Sequence, residues 1–160
     1  VVAVMFVLAM VGYRRYVHSA QSAEAKSMIQ AIRGGEENYK SEMLQYLKVS
    51  KNFPTYYPNE SPKDLRTAWV QTGHPDYGNW KMLNIQSDAP VRFGFSVDAG
   101  VGGALTQPSD WLKKPNMGTV DDGVPWYVVV AKNDHNNNGI YAFFGSSSLS
   151  SEIMSENESE

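Results

Sequence analysis

Val1–Gly12 reads VVAVMFVLAMVG, an uncharged apolar run at the start of a 160-residue chain. A helix that crosses a bilayer core needs about 20 apolar residues, and this run meets Arg14 and Arg15 well before that length. Four interpretations are open: a truncated transmembrane helix, a buried core helix, the apolar region of a signal peptide, or a segment that packs against copies of itself. A signal peptide is disfavoured because the basic residues follow the apolar run. Since the chain lacks an initiating Met, we expect the sequence to begin inside a longer precursor.

The apolar pattern continues past Gly12 at helical spacing, in steps of three, four and seven residues. It predicts one helix from near residue 2 to near residue 43, about 60 Å long at 1.5 Å per residue. The first half is apolar nearly all round, so lipid or neighbouring chains must enclose it. The second half has one apolar face, which we expect to pack on a domain through Met28, Ile29, Ile32, Tyr39 and Met43. Gly34-Gly35 and Gly12 are the expected soft points of this helix.

The remainder of the chain predicts loops and a small antiparallel sheet. Pro and Asn interleaved with aromatic residues indicate an irregular loop over 45–60, and Ser61-Pro62 is typical of a helix start leading to Trp69. Alternating or β-branched runs predict four strands, at Trp80–Ile85, Val91–Val97, Trp126–Ala131 and Ile140–Phe144. The last two flank an Asn-rich turn and should form a hairpin. A long surface loop holding Trp111 is expected over 98–124, and a mobile acidic tail over Glu152–Glu160.

Composition narrows the class of protein. With 42% hydrophobic residues the chain has ample material for one core. The absence of cysteine excludes disulfides, thiolate zinc sites, c-type haem attachment and cysteine nucleophiles. Residues 1–51 carry a net charge of +3 and the rest carries −6, for a total of −3. Because no concentrated basic face is present, no nucleic-acid partner is expected.

Three stretches resemble the type IV pilin and pseudopilin family. Val1–Val17, VVAVMFVLAMVGYRRYV, looks like the interior of the pilin signature. Glu36–Glu42, followed by Gln45-Tyr46-Leu47, is similar to the end of the long pilin helix where it opens into the αβ-loop. The polar turn at Asp134–Gly139 is similar to a turn late in many pilin heads. The Pro that usually kinks the family's helix, expected near Arg14, is absent here.

The resemblance implies an α+β pilin fold, in which a long N-terminal helix packs on a small antiparallel sheet. Residues 1–25 would protrude as membrane anchor and filament core, and 26–160 would form the head, with an αβ-loop at 45–75, a sheet at 80–146 and an acidic tail at 147–160. The implied function is that of a structural subunit of a type IV pilus or related filament, serving adhesion, motility or secretion. The implied core residues are Val1, Val2, Val4, Met5, Phe6, Val7, Leu8, Met10 and Val11.

The implied partners are identical subunits in a helical filament, the inner membrane before assembly, and the pilus assembly machinery. The precursor would reside in the inner membrane and the mature subunit in an extracellular filament. An apolar helix that leaves lipid needs another dry environment, because about ten exposed large side chains would cost on the order of 15–30 kcal/mol. A sheath of identical helices supplies that environment.

One motif points to a metal. Asp134, Asn136, Asn138 and Gly139 match the start of a D-x-[DN]-x-[DN]-G calcium loop, in which alternate side-chain oxygens face the cation. The twelfth loop position, which needs a bidentate acid, holds Gly145. A polar hairpin turn is therefore the first interpretation and weak calcium binding the second, with no other cofactor expected.

Enzymatic activity is not expected. The three histidines are far apart in sequence, without metalloprotease spacing, and the serine run 146–148 lacks a nucleophile-elbow motif. The alternative function is a membrane-anchored periplasmic or extracellular module that binds a glycan or peptide through an aromatic loop. The residues that contact the ligand would be Phe53, Tyr56, Tyr57 and Trp69.

Overall fold

The computed structural model describes residues 2–111 and 115–158. Its elements, in chain order, are α1 (Val2–Met43), α2 (Tyr77–Met82), β1 (Gly94–Ala104), β2 (Thr119–Asn133), β3 (Ala142–Ser147) and β4 (Ser150–Glu156). The four strands form one antiparallel sheet in the order β1-β2-β3-β4. The expected α+β class, with one long N-terminal helix and an antiparallel sheet, is confirmed.

The helix α1 is continuous over 42 residues, passing through all three of its glycines. Gly34 faces open space, whereas a Cβ on Gly35 would lie 2.8 Å from Ile85 Cδ1 and 3.1 Å from the Leu83 carbonyl oxygen. Gly35 is therefore required by close packing, because the chain after α2 lies directly against α1 there. The helix ends at Met43, because the next residue, Leu44, has a φ of 61°; the Leu44 N–H donates to the Lys40 carbonyl at 2.8 Å.

The core lies between α1 and one face of the sheet. Ala25, Ile29 and Ile32 of α1 are completely buried, in one cluster with Phe95 of β1 and Phe144 of β3. The register joins these positions, since Phe95 pairs with Ala131 and Ala131 with Phe144. β2 and β3 form an antiparallel hairpin, as the Asn-rich turn between them predicts. The spacing of Ala25, Ile29 and Ile32, four and then three residues, places all three on the covered face.

Two local predictions in the middle of the chain are wrong. The helix predicted to begin at Ser61 is absent, since residues 61–76 are not helical; instead Thr67 forms a β-bridge with Val91. The strand predicted over Trp80–Ile85 is the end of α2 and a turn, with Trp80 buried. Both segments take their conformation from tertiary packing, because Trp69 and Trp80 meet at 5.4 Å in the same aromatic cluster.

Two predictions near the carboxyl end are also wrong. The surface loop expected over 98–124 is shortened by strands, because β1 runs to Ala104 and β2 begins at Thr119, and Trp111 is buried. The acidic segment expected to be a mobile tail contains β4, which pairs with β3. Ile153 is half-buried against the cluster that α1 covers, and Met154 is half-buried against a second cluster that contains Trp111 and Phe143. These contacts hold the strand despite its negative charge.

Candidate assembly surface

The first turns of α1, residues 2–16, are called the stem; they are apolar apart from Arg14 and Arg15. Every described side chain between Met5 and Tyr16 is exposed. The predicted core residues among them have large exposed fractions: Met5 66%, Val7 60%, Leu8 66%, Met10 48% and Val11 47%. Val1 and the side chains of Val2, Val4 and Phe6 lie outside what the structure describes. Contiguous apolar surfaces of this extent are uncommon on monomeric proteins, so the stem is a candidate interaction surface.

Within the described residues, none of the helices carries an apolar stretch long enough to cross a bilayer. Tyr13 and Tyr16 extend the exposed surface to the junction with the head, at 70% and 74% exposure. The burial of α1 begins at Gln21 and Ser22.

Polar contacts fix the junction between stem and head. Gln21 Nε2 donates to His135 Nδ1 at 3.0 Å, tying α1 to the turn after β2. Glu24 Oε1 accepts the backbone N–H of Arg92 at 2.8 Å, and Glu24 Oε2 lies 3.6 Å from Arg66 Nη2. Burial lowers the pKa of His135 below its ordinary value, which favours the neutral ring. These contacts anchor α1 to the head just after the stem.

The second half of α1 holds the head. Ile29 and Ile32 are completely buried, and Met28 and Tyr39 are partly buried against the same cluster. The packing role predicted for Met43 is wrong, because its side chain is 55% exposed. Met43 is the last residue of α1, and the helix has passed the covered surface of the head by that point.

Glu36 is a packing residue that the sequence analysis missed. Its side chain is completely buried, and its Oε2 accepts the backbone N–H of Leu47 at 2.9 Å. Burial raises the pKa of Glu36 to about 8, with Glu37 adding to the rise and the Leu47 hydrogen bond opposing it. The carboxyl is therefore neutral at physiological pH. Its hydrogen bond with Leu47 holds the segment after α1 against the helix. The available signal was its spacing, four residues beyond Ile32 on the same face.

The residues of the predicted calcium loop form a hydrogen-bonded turn. Asp134 accepts backbone N–H groups at both oxygens, from Asn138 at 3.1 Å and Gly139 at 3.0 Å. The side-chain oxygens of Asn136 and Asn138 accept the N–H groups of Asn138 and Ile140, at 3.0 and 2.7 Å. Over the described ranges, no group of three or more His, Cys, Asp or Glu could hold a metal ion. Calcium binding by Asp134, Asn136 and Asn138 stays a prediction.

The aromatic loop is part of the core. Tyr56, Tyr57 and Trp69 are at most 5% exposed, and only Phe53 of the four rings is half-buried. Tyr57 stacks on Trp80 with ring centroids 5.4 Å apart, and its hydroxyl donates to the Trp69 carbonyl. Rings packed in this way present little surface to a glycan or peptide, which counts against the alternative binding function.

The comparisons with known proteins return no relative. No family model matches the chain. No curated protein matches it significantly. No solved structure matches it significantly either.

Proposed function

We propose that this chain is a structural subunit of a helical filament, of the type IV pilin or pseudopilin kind. The observation that carries the proposal is the exposed apolar stem on a head that is otherwise packed around its own core. The order of elements, one long helix followed by an antiparallel sheet, supports a pilin fold. The continuity of α1 from stem to head supports it further, because a rigid helix transmits the position of the stem to the head.

Energetics favour association of the stem with other apolar surfaces. Complete burial of a large apolar side chain is worth about 1.5–3 kcal/mol. Met5, Val7, Leu8, Met10 and Val11 are about half to two thirds exposed, so covering these five alone contributes roughly 4–9 kcal/mol per subunit. At 3.6 residues per turn these five side chains spread over about 220° of the helix circumference, so a single flat partner cannot cover them. Lipid before assembly and a bundle of other stems afterwards both enclose the helix.

A charge placed on the stem tests the proposal. In Leu8→Lys a cation enters the interface between stems, and we expect filament formation to be lost because an unpaired buried charge is strongly unfavourable. The matched control is Val70→Lys, since Val70 is similarly exposed, 63% against 66%, but lies on the head. Electron microscopy of material sheared from cells provides the measurement. Filaments of normal length and yield from Leu8→Lys would contradict the proposal.

A further inference from the structure

Two segments of the head adjoin α1 just after the stem. His135 lies in the turn after β2, and its Nδ1 is 3.0 Å from Gln21 Nε2 on α1 and 3.3 Å from Asp64 Oδ1. The turn over 134–140 and the loop over 62–66 therefore meet where the burial of α1 begins. We call these two segments the base of the head, because they lie at the end of the head from which the stem projects.

The base carries exposed apolar side chains beside the apolar stem. Leu65 of the loop is 81% exposed, and Ile140 of the turn is 46% exposed. Tyr16, the last residue of the stem, is also exposed and lines a pocket together with Arg66, the neighbour of Leu65. Single apolar residues on a protein surface need no explanation, but here three segments distant in sequence bring them to one end of the head. Apolar side chains therefore lie on both sides of the junction between stem and head.

Basic residues accompany these apolar side chains. Lys63 of the base is exposed and forms no ion pair with any described residue. Arg14 and Arg15 add two positive charges at the head end of the stem. Arg66 and Arg92 lie at this end as well, but both are ion-paired within the subunit and contribute no free charge. Without them, the charges of Lys63 and the two stem arginines still attract an anionic partner.

Lipid headgroups fit this combination better than another protein surface does. Tyr concentrates at the headgroup level of membranes, where its ring contacts lipid and its hydroxyl contacts water, and Tyr13 and Tyr16 are both exposed at the head end of the stem. Basic residues at the same level are attracted to anionic headgroups. The base of a second copy would instead bring like charges together, and an apolar protein surface would leave these cations unpaired.

We propose that the base docks on the surface of a bilayer of anionic phospholipids, with Leu65 and Ile140 at the boundary between headgroups and acyl chains. The inference rests on the proposed function, in which the stem enters lipid before assembly, and it adds a second lipid contact made by the head. Interfacial apolar side chains and cations together give such binding. Docking of the base gives every head the same orientation on the membrane, so that neighbouring subunits meet with their stems parallel.

Fluorescent labels on single cysteines test the contact, because the chain has no cysteine of its own. Leu65→Cys carries an environment-sensitive dye, and the dispersed subunit is mixed with phosphatidylglycerol vesicles. We expect the emission to shift to shorter wavelength, because the dye leaves water. The control is Val101→Cys, which is 58% exposed but lines a pocket with Gln45, beyond the far end of α1, and should show no shift. A label at Leu8→Cys reports on the stem.

The two labels separate failure of this inference from failure of the proposed function. A shift at Leu8 without a shift at Leu65 overturns the docking of the base and leaves the filament proposal standing. A Leu65 shift that occurs in filaments but not on vesicles also overturns it, because another copy then covers the base. No shift at either position overturns the inference too, and if the chain also forms no filaments, the proposed function fails with it.

The charge of the lipid provides the second test. Lys63→Gln should weaken binding to phosphatidylglycerol vesicles by about fivefold, since each cation near an anionic surface contributes about that much. The matched control is Lys81→Gln, because Lys81 is exposed next to Met82, which lies against the last turns of α1. The control should bind as the wild type does. Equal binding of the wild type to phosphatidylglycerol and phosphatidylcholine vesicles would overturn the assignment of an anionic lipid partner.

Discussion

Glu36→Gln is the substitution whose effect follows most directly from the structure. The unfolded carboxyl releases its proton near its ordinary pKa of 4.5, whereas the buried carboxyl keeps its proton until the pKa of about 8. Between these values the unfolded state binds fewer protons, so the free energy of unfolding falls as pH rises through this window and levels off above it. The pKa difference corresponds to on the order of 5 kcal/mol. Glutamine cannot ionise, and its amide oxygen can still accept the Leu47 N–H.

Urea unfolding of the dispersed subunit, followed by tryptophan fluorescence, measures this effect. All other titrating groups are shared, so the difference in unfolding free energy between Glu36→Gln and wild type isolates residue 36. We expect that difference to shift in favour of the variant by several kcal/mol between about pH 4 and about pH 9. The control is Glu42→Gln, which removes an exposed carboxyl of the same helix. Parallel pH profiles for Glu36→Gln and wild type would show that the pKa of Glu36 is not raised in the folded subunit.

The remaining predictions concern the packing of α1. Gly35→Ala should lower the free energy of unfolding by about 1–3 kcal/mol, because the added Cβ meets Ile85 and Leu83. Gly34→Ala should raise the free energy of unfolding by about 1 kcal/mol. A similar effect from both substitutions would contradict the close approach at Gly35. Ile29→Ala should cost about 2–5 kcal/mol as a completely buried residue, and Met43→Ala less than about 0.5 kcal/mol. Thermal or urea denaturation checks each pair.

The helix α1 could be predicted because its apolar residues recur at helical spacing over a long stretch of sequence. Steps of three and four from Tyr13 to Met43 define one face, and this face packs as expected at Ile29 and Ile32. The hairpin of β2 and β3 could likewise be predicted, since Asn133–Gly139 is a local turn signal between two β-branched or aromatic runs. Both features arise from interactions between residues close in sequence.

The features that could not be predicted depend on contacts distant in sequence. Gly35 looks like a weak point until Ile85 is placed against it. Trp80 is in a helix and Thr67 in a bridge because the aromatic cluster around Tyr57 and Trp69 organises that region. The burial and neutral state of Glu36 could not be predicted for the same reason, since only folding brings the Leu47 N–H within hydrogen-bond distance of its carboxyl.

A cryo-electron microscopy reconstruction of filaments purified from cells would show how the stems are packed. If the chain is a filament subunit, the stems of many subunits form a rod of parallel α-helices along the axis, with the sheet of each head on the outside. Leu8 and Val11 should lie in helix–helix contacts within that rod. A filament in which the stems project into solvent, or purified protein that remains monomeric after removal from lipid, would contradict it.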